Sequence, residues 1–320
     1  MIGRRGLIQA GIALAGVTSL AWAEDKKKKK DDGVMAPLPA PLLTKIIPST
    51  GERVAAIGVG TNNYSPQTPD ERASRLAVLA GLTDAGASVI DTAPAYRQSE
   101  ETIGALVAQL GRRKQCFFAT KVTAPGGDLA KSIAMIEESK RRLRTDVLDL
   151  VQVHSLDGVD VLLPHLAELK RKGQIRYVGI TTSTGGQHDQ LVKLIGSQPL
   201  DFVQVDFSLG NRDAAEEVLP AALDKRVAVL VNTPFGGRGG NNLFSRVRDQ
   251  ALPDWATQID ARSWGQVFLK YVMSQPAVTA AIPGMTSVEH LEDNLDAARG
   301  RMPDAMLRAR MEKWWDQNAS

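Results

Sequence analysis

Four side chains in the first half of the chain could move a proton if the fold brought them together. They are the carboxylate of Asp91, the phenol of Tyr96, the amine of Lys121 and the imidazole of His154. Asp91 closes the run Val89-Ile90-Asp91, and Tyr96 follows it in Thr92-Ala93-Pro94-Ala95-Tyr96. Lys121 closes Phe117-Phe118-Ala119-Thr120-Lys121, and His154 closes Asp149-Leu150-Val151-Gln152-Val153-His154. A phenol with a reference pKa of about 10 is a reluctant but usable proton donor at neutral pH. A neighbouring ammonium favours the phenolate and brings that pKa down, and a carboxylate keeps the ammonium charged and oriented. An imidazole beside them can hydrogen-bond the oxygen that receives the proton and stabilise charge developing there. Met singly, each residue has an ordinary explanation: a helix-capping Asp, a Tyr filling a wall, a solvated Lys or a hydrogen-bonded His. Together, at the ends of successive apolar runs, they favour chemistry.

The elements that must position these groups follow from hydrophobic period. From about Thr44 onward, short β-branched or apolar runs alternate with amphipathic stretches of helical period, the signature of repeated βα units and a parallel sheet. Eight strands are expected, at Ala55–Gly58, Ser88–Asp91, Phe117–Lys121, Leu148–Val153, Tyr177–Thr181, Phe202–Val205, Ala228–Val231 and Thr279–Ile282. Helical segments are expected to begin near Pro69, Glu100, Asp128, Val161, His188, Ala214, Arg262 and Val288. Eight units suit a closed α/β (β/α)8 TIM barrel better than an open doubly wound sheet, and in such a barrel the strand ends carry the reactive groups. The stretch Lys45–Arg53, with Pro48, Ser49 and Gly51 as turn formers, is expected to form a hairpin closing the barrel floor. A last helix over about Asp304 to Gln317 presents Trp314 and Trp315 to the barrel wall. No Gly-x-Gly-x-x-Gly follows any strand; Gly58-x-Gly60 lacks the third glycine, so a dinucleotide would have to lie across the barrel mouth.

On these residues the chain resembles the aldo-keto reductase superfamily from about Lys45 to Ala298. Supporting stretches include Gly58-Val59-Gly60-Thr61, Ser99-Glu100-Glu101-Thr102-Ile103-Gly104, Gln174-Ile175-Arg176-Tyr177-Val178-Gly179-Ile180 and Ile282-Pro283-Gly284 through Asn294. The resemblance implies an NAD(P)H-dependent oxidoreductase that reduces an aldehyde or ketone, with Tyr96 as general acid. It also implies a dinucleotide site of Gly60, Thr61, Asn62 and Asp91 near the first strands, and of Thr181, Thr182 and Gln204 at the carboxamide. Further on, the site takes in Asn232, Pro234, Phe235 and Gly237, then Gly284, Met285, Thr286, Ser287, His290, Asp293 and Asn294 at the adenosine. NADP(H) is favoured, with NAD(H) the alternative, since basic residues are missing from several positions that would grip a 2′-phosphate. Two departures stand out. Two threonines replace the family's Ser-Asn at 181–182, and Asn232 replaces the aromatic that stacks on the nicotinamide, a loss that Phe235 could make good. The loop Gly236-Gly237-Arg238-Gly239-Gly240 is glycine-rich enough to bring backbone donors close to a pyrophosphate, with Arg238 as a clamp. Asn62, Tyr64 and Phe235 are the expected walls of the substrate pocket.

The remaining features bound location and partners. Residues 1–23 carry Arg4-Arg5, an apolar run from Leu7 to Ala21 and Ala21-Trp22-Ala23, the layout of an export signal that resembles the twin-arginine type, and a periplasmic or otherwise exported location follows. Residues 24–43, with Lys26 to Lys30 and Pro37, Pro39 and Pro41, read as a linker, and 44–320 as the barrel; no stable membrane span remains once the signal is removed. The formal charge of +3 resides in the N-terminal segments, which leaves a near-neutral body with 5% aromatics and no field for nucleic acid. The single cysteine, Cys116, excludes an internal disulfide and reads as a buried thiol. Oligomeric state has no signal. A metal-dependent hydrolase would need clustered histidines, and of four only His154 closes a strand. A barrel that binds dinucleotide without useful catalysis, acting as a redox-sensing or assembly subunit, is the second reading; the aligned Tyr96 and Lys121 argue against it.

Overall fold

A computed structural model describes residues 40–237 and 242–319. The expected export segment, the lysine run, most of the proline-rich linker and Arg238 lie outside the described residues. The first element is an antiparallel hairpin of β1 (Thr44–Ile46) and β2 (Arg53–Ala55), with Thr44 opposite Ala55 and the turn glycine Gly51 at φ +79°. Its apolar side chains enter the barrel from below. Ile47 and Val54 pack in one interior cluster with Phe117, Tyr177 and Phe202.

The barrel strands and their helices then alternate. They run β3 (Val59–Gly60), α1 (Pro69–Asp84), β4 (Val89–Asp91), α2 (Ser99–Leu110), β5 (Phe117–Val122), α3 (Leu129–Leu143), β6 (Leu148–His154) and α4 (Val159–Arg171). There follow β7 (Ile175–Thr181), α5 (His188–Ser197), β8 (Phe202–Asp206), α6 (Val218–Asp224), β9 (Ala228–Asn232), α7 (Leu243–Arg246) and α8 (Trp264–Met273). The last elements are β10 (Val278–Ala281), α9 (Val288–Ala297) and α10 (Ala305–Asn318). Neighbouring strands from β3 to β10 pair in parallel, in chain order. The ring closes through Ala281 N–H to Ala56 O (2.9 Å), Gly58 N–H to Ala281 O (2.8 Å) and Gly60 N–H to Pro283 O (3.0 Å). The architecture is a (β/α)8 TIM barrel.

Covered by helices outside and filled by side chains inside, the strands are buried on both faces, which is why they read as near-continuous apolar runs. The helix starts carry local signals. At α1, Thr68 Oγ1 accepts from Glu71 N–H (3.2 Å) with Pro69 in the first turn; at α9, Ser287 Oγ accepts from His290 N–H (3.3 Å). Trp315 is buried edge-on against Phe268 of α8 and Trp314 packs on Trp264, so the C-terminal helix seals the barrel wall. Cys116 is buried, and burial pushes its thiol up to about 11.

The first barrel strand departs from expectation. It is Val59–Gly60 rather than Ala55–Gly58, because the residues up to Ala55 are taken by the floor hairpin. Local periodicity cannot separate two consecutive strands of one apolar run when only a short bend divides them.

Candidate active site

Residues of like parity point into the barrel, so a strand can deliver a packed residue at the floor and a polar one at the mouth. Phe117 and Ala119 precede Lys121 on β5, Leu150 precedes Gln152 and His154 on β6, and Phe202 precedes Gln204 on β8. Pairing sets the heights: Asp91 lies beside Ala119, Lys121 beside Gln152 and His154 beside Thr181.

The structure brings the four candidate residues together. Lys121 Nζ donates to both oxygens of Asp91 (2.9 and 2.7 Å) and to Thr92 O (2.8 Å), with both side chains buried. The same ammonium lies 4.9 Å from the centre of the Tyr96 ring. The rings of Tyr96 and His154 meet edge to face with centroids 6.3 Å apart. Tyr96 is presented by a compact loop, in which its N–H donates to Ala93 O (3.0 Å) and its carbonyl accepts from Ser99 N–H (3.1 Å) and Ser65 Oγ (3.4 Å). Ser99 Oγ in turn donates to Thr61 O (2.6 Å), tying that loop to the end of β3.

Burial governs the protonation states. It pushes the Asp91 carboxyl up from the usual carboxylate range against the pull of Lys121. For Lys121, burial acts downward, but Asp91 and Tyr96 outweigh it and the amine holds its proton more tightly than usual. Two-point contact plus a third carbonyl acceptor is the geometry of an ammonium–carboxylate pair, so we take the pair as ionised. The Tyr96 phenol sits above its ordinary range because desolvation exceeds the downward influence of Lys121. Against the expectation that the lysine prevails, in this arrangement burial wins and the phenol stays protonated. His154 is lowered to about 4, first by burial and then by the charge of Lys121, so its imidazole is neutral at physiological pH.

Above this group opens a cavity of about 290 Å³ lined by Gly60, Thr61, Asn62, Asp91, Tyr96, Ser183, Gln204, Asn232, Thr233, Pro234, Phe235, Gly236, Ile282 and Gly284. Nine of the residues expected to hold dinucleotide are therefore on its wall. Gly236 belongs to the glycine-rich loop expected near the pyrophosphate, whereas Ser183, Thr233 and Ile282 are not among the expected binding residues, although each adjoins a named position in sequence. Others lie elsewhere. Thr181 is buried in β7, the Thr182 hydroxyl is engaged with Gln187 Oε1 (2.5 Å), and Gly237 lines an adjoining cavity. Tyr64 is not a wall: it is fully buried, its hydroxyl donating to Met285 O (3.0 Å). Asn232 Nδ2 donates to Thr182 O (2.9 Å), so its amide is spent on bracing the rim.

The segment after β10 is pinned from α1. Thr286 O accepts from Ser74 Oγ (2.6 Å) and Arg75 Nη1 (3.0 Å), while Ser287 caps α9, His290 is exposed at its first turn, and Asn294 is buried further along. The Asp293 carboxylate accepts from Ser263 Oγ and Gln266 Nε2 (each 2.8 Å) and so locks α9 to α8. Between β3 and β10 the cavity wall includes two glycines, Gly60 and Gly284, and the backbones run so close that a Cβ on Gly60 would stand 2.7 Å from Ile282 O. Missing side chains there, one cavity-facing amide at Gln204 and a helix N-terminus beside the rim together suit a flat ring followed by anionic groups, so the residues present fit a nicotinamide dinucleotide.

A parallel barrel with an ion pair, a phenol and an imidazole at its mouth is an arrangement suited to a barrel oxidoreductase. Residues 56–314 match the family model described as the aldo/keto reductase family, and the chain belongs to that family of NAD(P)H-dependent enzymes. It is similar to the methylglyoxal reductase YeaE of Escherichia coli, 28% identical over 82% of this chain and 92% of that protein. It is 32% identical to the aldo-keto reductase YhdN of Bacillus subtilis over 58% of this chain and 60% of that protein. Among solved structures, an aldo/keto reductase from Klebsiella pneumoniae in complex with NADP and acetate is similar at 25% identity and a TM-score of 0.69, over 84% of this chain and 94% of that one.

Proposed function

We propose that the chain reduces a small aldehyde or ketone, with Tyr96 donating the proton that the carbonyl oxygen needs. The observation that carries this reading is the buried Asp91–Lys121 pair seated against the Tyr96 ring, a fixed positive charge beside a phenol that stays protonated. When bound, NAD(P)H supplies the hydride; Gly60, Gln204, Pro234, Phe235 and Gly284 line the wall that would hold its nicotinamide end. Negative charge then builds on the carbonyl oxygen, and Tyr96 releases its proton there because Lys121 stabilises the phenolate left behind. Asp91 keeps that lysine charged and immobile through the transfer. Neutral His154 donates an N–H toward the same oxygen and helps to orient it. With Asn232 committed to Thr182 O, Phe235 is the aromatic side chain on this wall available to cover a ring.

NADP(H) is the favoured dinucleotide, supported by the NADP complex of the Klebsiella pneumoniae relative, and the guanidinium of Arg75 beside Thr286 supplies positive charge near the adenosine end. Short α-oxoaldehydes head the substrate panel, following the name of the Escherichia coli relative. The paired arginines and apolar run at the N-terminus support export as the destination. The test is fluorescence titration of the purified chain with NADPH and NADH, followed by turnover of aldehydes and quinones by the wild type and Tyr96→Phe. Binding with turnover that Tyr96→Phe abolishes, at little cost in dinucleotide affinity, supports the reading. A folded protein that binds neither dinucleotide, or a Tyr96→Phe variant with normal turnover, sinks it.

A further inference from the structure

One buried polar group beneath the cavity is not among the four residues assigned to the proton chemistry. Gln152, at the inward parity of β6, is fully buried and does not reach the cavity wall. Its Nε2 donates to Gln204 Oε1 (2.8 Å), although β7 lies between their two strands. Gly179 on β7 makes this crossing possible: it pairs with Gln152, and a Cβ there would stand 3.1 Å from Gln152 Cγ and 3.0 Å from Phe202 O. The Gln152 Oε1 atom has no hydrogen-bond partner among the described residues, an uncommon state for a buried acceptor. On its other side the same pair of amides bears on the Asp91 carboxylate, both favouring its ionised form.

We infer that Gln152 is a positioning residue for Gln204, holding that amide by its oxygen so that its NH2, one N–H of which bears on Asp91, has the other left for the cavity. A free Gln204 amide could turn either its oxygen or its NH2 outward. Bonded through its oxygen, it offers a donor, the complement of a carboxamide oxygen. This rests on the dinucleotide reading above. Gln152 thus joins the two halves of the site: the ion pair that serves the proton and the amide that faces the cofactor.

The test is a double-mutant cycle on the full chain, read by NADPH fluorescence titration, or NADH if the wild type prefers it. Gln152→Met and Gln204→Met are each expected to weaken binding about tenfold, and the double variant to bind no worse than Gln204→Met alone. At saturating dinucleotide, KM for the carbonyl substrate is expected to stay within about twofold of wild type in Gln152→Met, as befits a residue acting through the cofactor site. Should Gln152→Met fail to fold, Gln152→Asn keeps a polar amide but is one methylene too short to reach Gln204, and the same tenfold loss, absent in the Gln204→Met background, is expected. Wild-type affinity in the Gln152 variants overturns the inference, as does a loss that persists in the Gln204→Met background. Failure of the wild type to bind either dinucleotide removes the functional reading itself, a separate outcome.

Discussion

Tyr177 at the floor of the barrel is buried and Tyr96 at its mouth half-buried, and desolvation raises both phenols, to about 12 at Tyr177. Their partners differ. Tyr177 donates to Glu52 Oε2 (2.5 Å), lies 2.8 Å from Thr50 Oγ1, and stacks on Phe117 with centroids 5.6 Å apart. Every polar demand is met by the floor hairpin, and the carboxylate it faces raises the cost of losing its proton. Tyr96 makes no such side-chain bond to an acid; it faces an ammonium that stabilises its anion and an open cavity. The same residue type is thus a structural plug at one end and a proton donor at the other, and the difference lies in the sign of the neighbouring charge.

Removing the two hydroxyls separates the ends most sharply. Tyr96→Phe is expected to lower kcat by roughly 10²–10⁴-fold with an unchanged melting temperature. Tyr177→Phe is expected to keep kcat and lose about 1–2 kcal/mol of stability, measured by denaturant unfolding. Equal activity losses in both variants would break the comparison. Lys121→Met comes next, because it strands the Asp91 carboxylate and Thr92 O in a dry site. Such an orphaned partner costs about 3–5 kcal/mol, so this variant should lose both turnover and stability. A Lys121→Met protein as stable as wild type would show that the pair is not ionised.

Most of this arrangement was legible in the sequence because strand parity and strand ends translate directly into position. Asp91, Lys121 and His154 each close an apolar run, and Tyr96 follows by a short Pro-containing loop that leaves it little freedom. What escaped was non-local. Gln152 left only a faint mark, a polar residue at inward parity in Leu148-Asp149-Leu150-Val151-Gln152-Val153-His154, and its partner Gln204 lies on a strand two removed. Tyr64 looked like a pocket wall because it follows Gly60-Thr61-Asn62, but a hydroxyl acceptor 221 residues away, at Met285, draws it inward. The direction of the Tyr96 shift also escaped, since desolvation depends on how deeply the loop seats the ring.

The pH response gives a finer test of the same contrast. With His154 lowered to about 4 and Tyr96 above its ordinary value, neither group changes charge in the neutral range. Accordingly kcat/KM is expected to show no inflection between about pH 5 and pH 8, where an ordinary histidine would titrate. The sign for stability is opposite to that of a His gaining an acidic partner. The folded state binds the His154 proton less readily than the unfolded chain, so stability present above pH 6.5 is lost as pH falls toward about 4. His154→Gln should flatten that acid limb in a melting-temperature series. An inflection near pH 6.5 in the wild-type rate profile would mean that the imidazole is solvated.

The smallest expected effect lies at the rim, where a structural cap and a binding element coincide. Ser287 Oγ satisfies His290 N–H at the start of α9, while the preceding residue is pinned through its carbonyl by Ser74 and Arg75. Ser287→Ala removes the cap and should cost about 1 kcal/mol by denaturant unfolding. Because Ser74 and Arg75 hold the segment independently, NADPH affinity should change by less than about threefold, whereas Thr68→Ala, the equivalent cap on α1, should cost similar stability and leave affinity untouched. If Ser287→Ala weakened NADPH by far more than its stability loss, that hydroxyl would be a direct ligand of the cofactor. The mouth would then be using even its helix caps for binding, which the floor has no occasion to do.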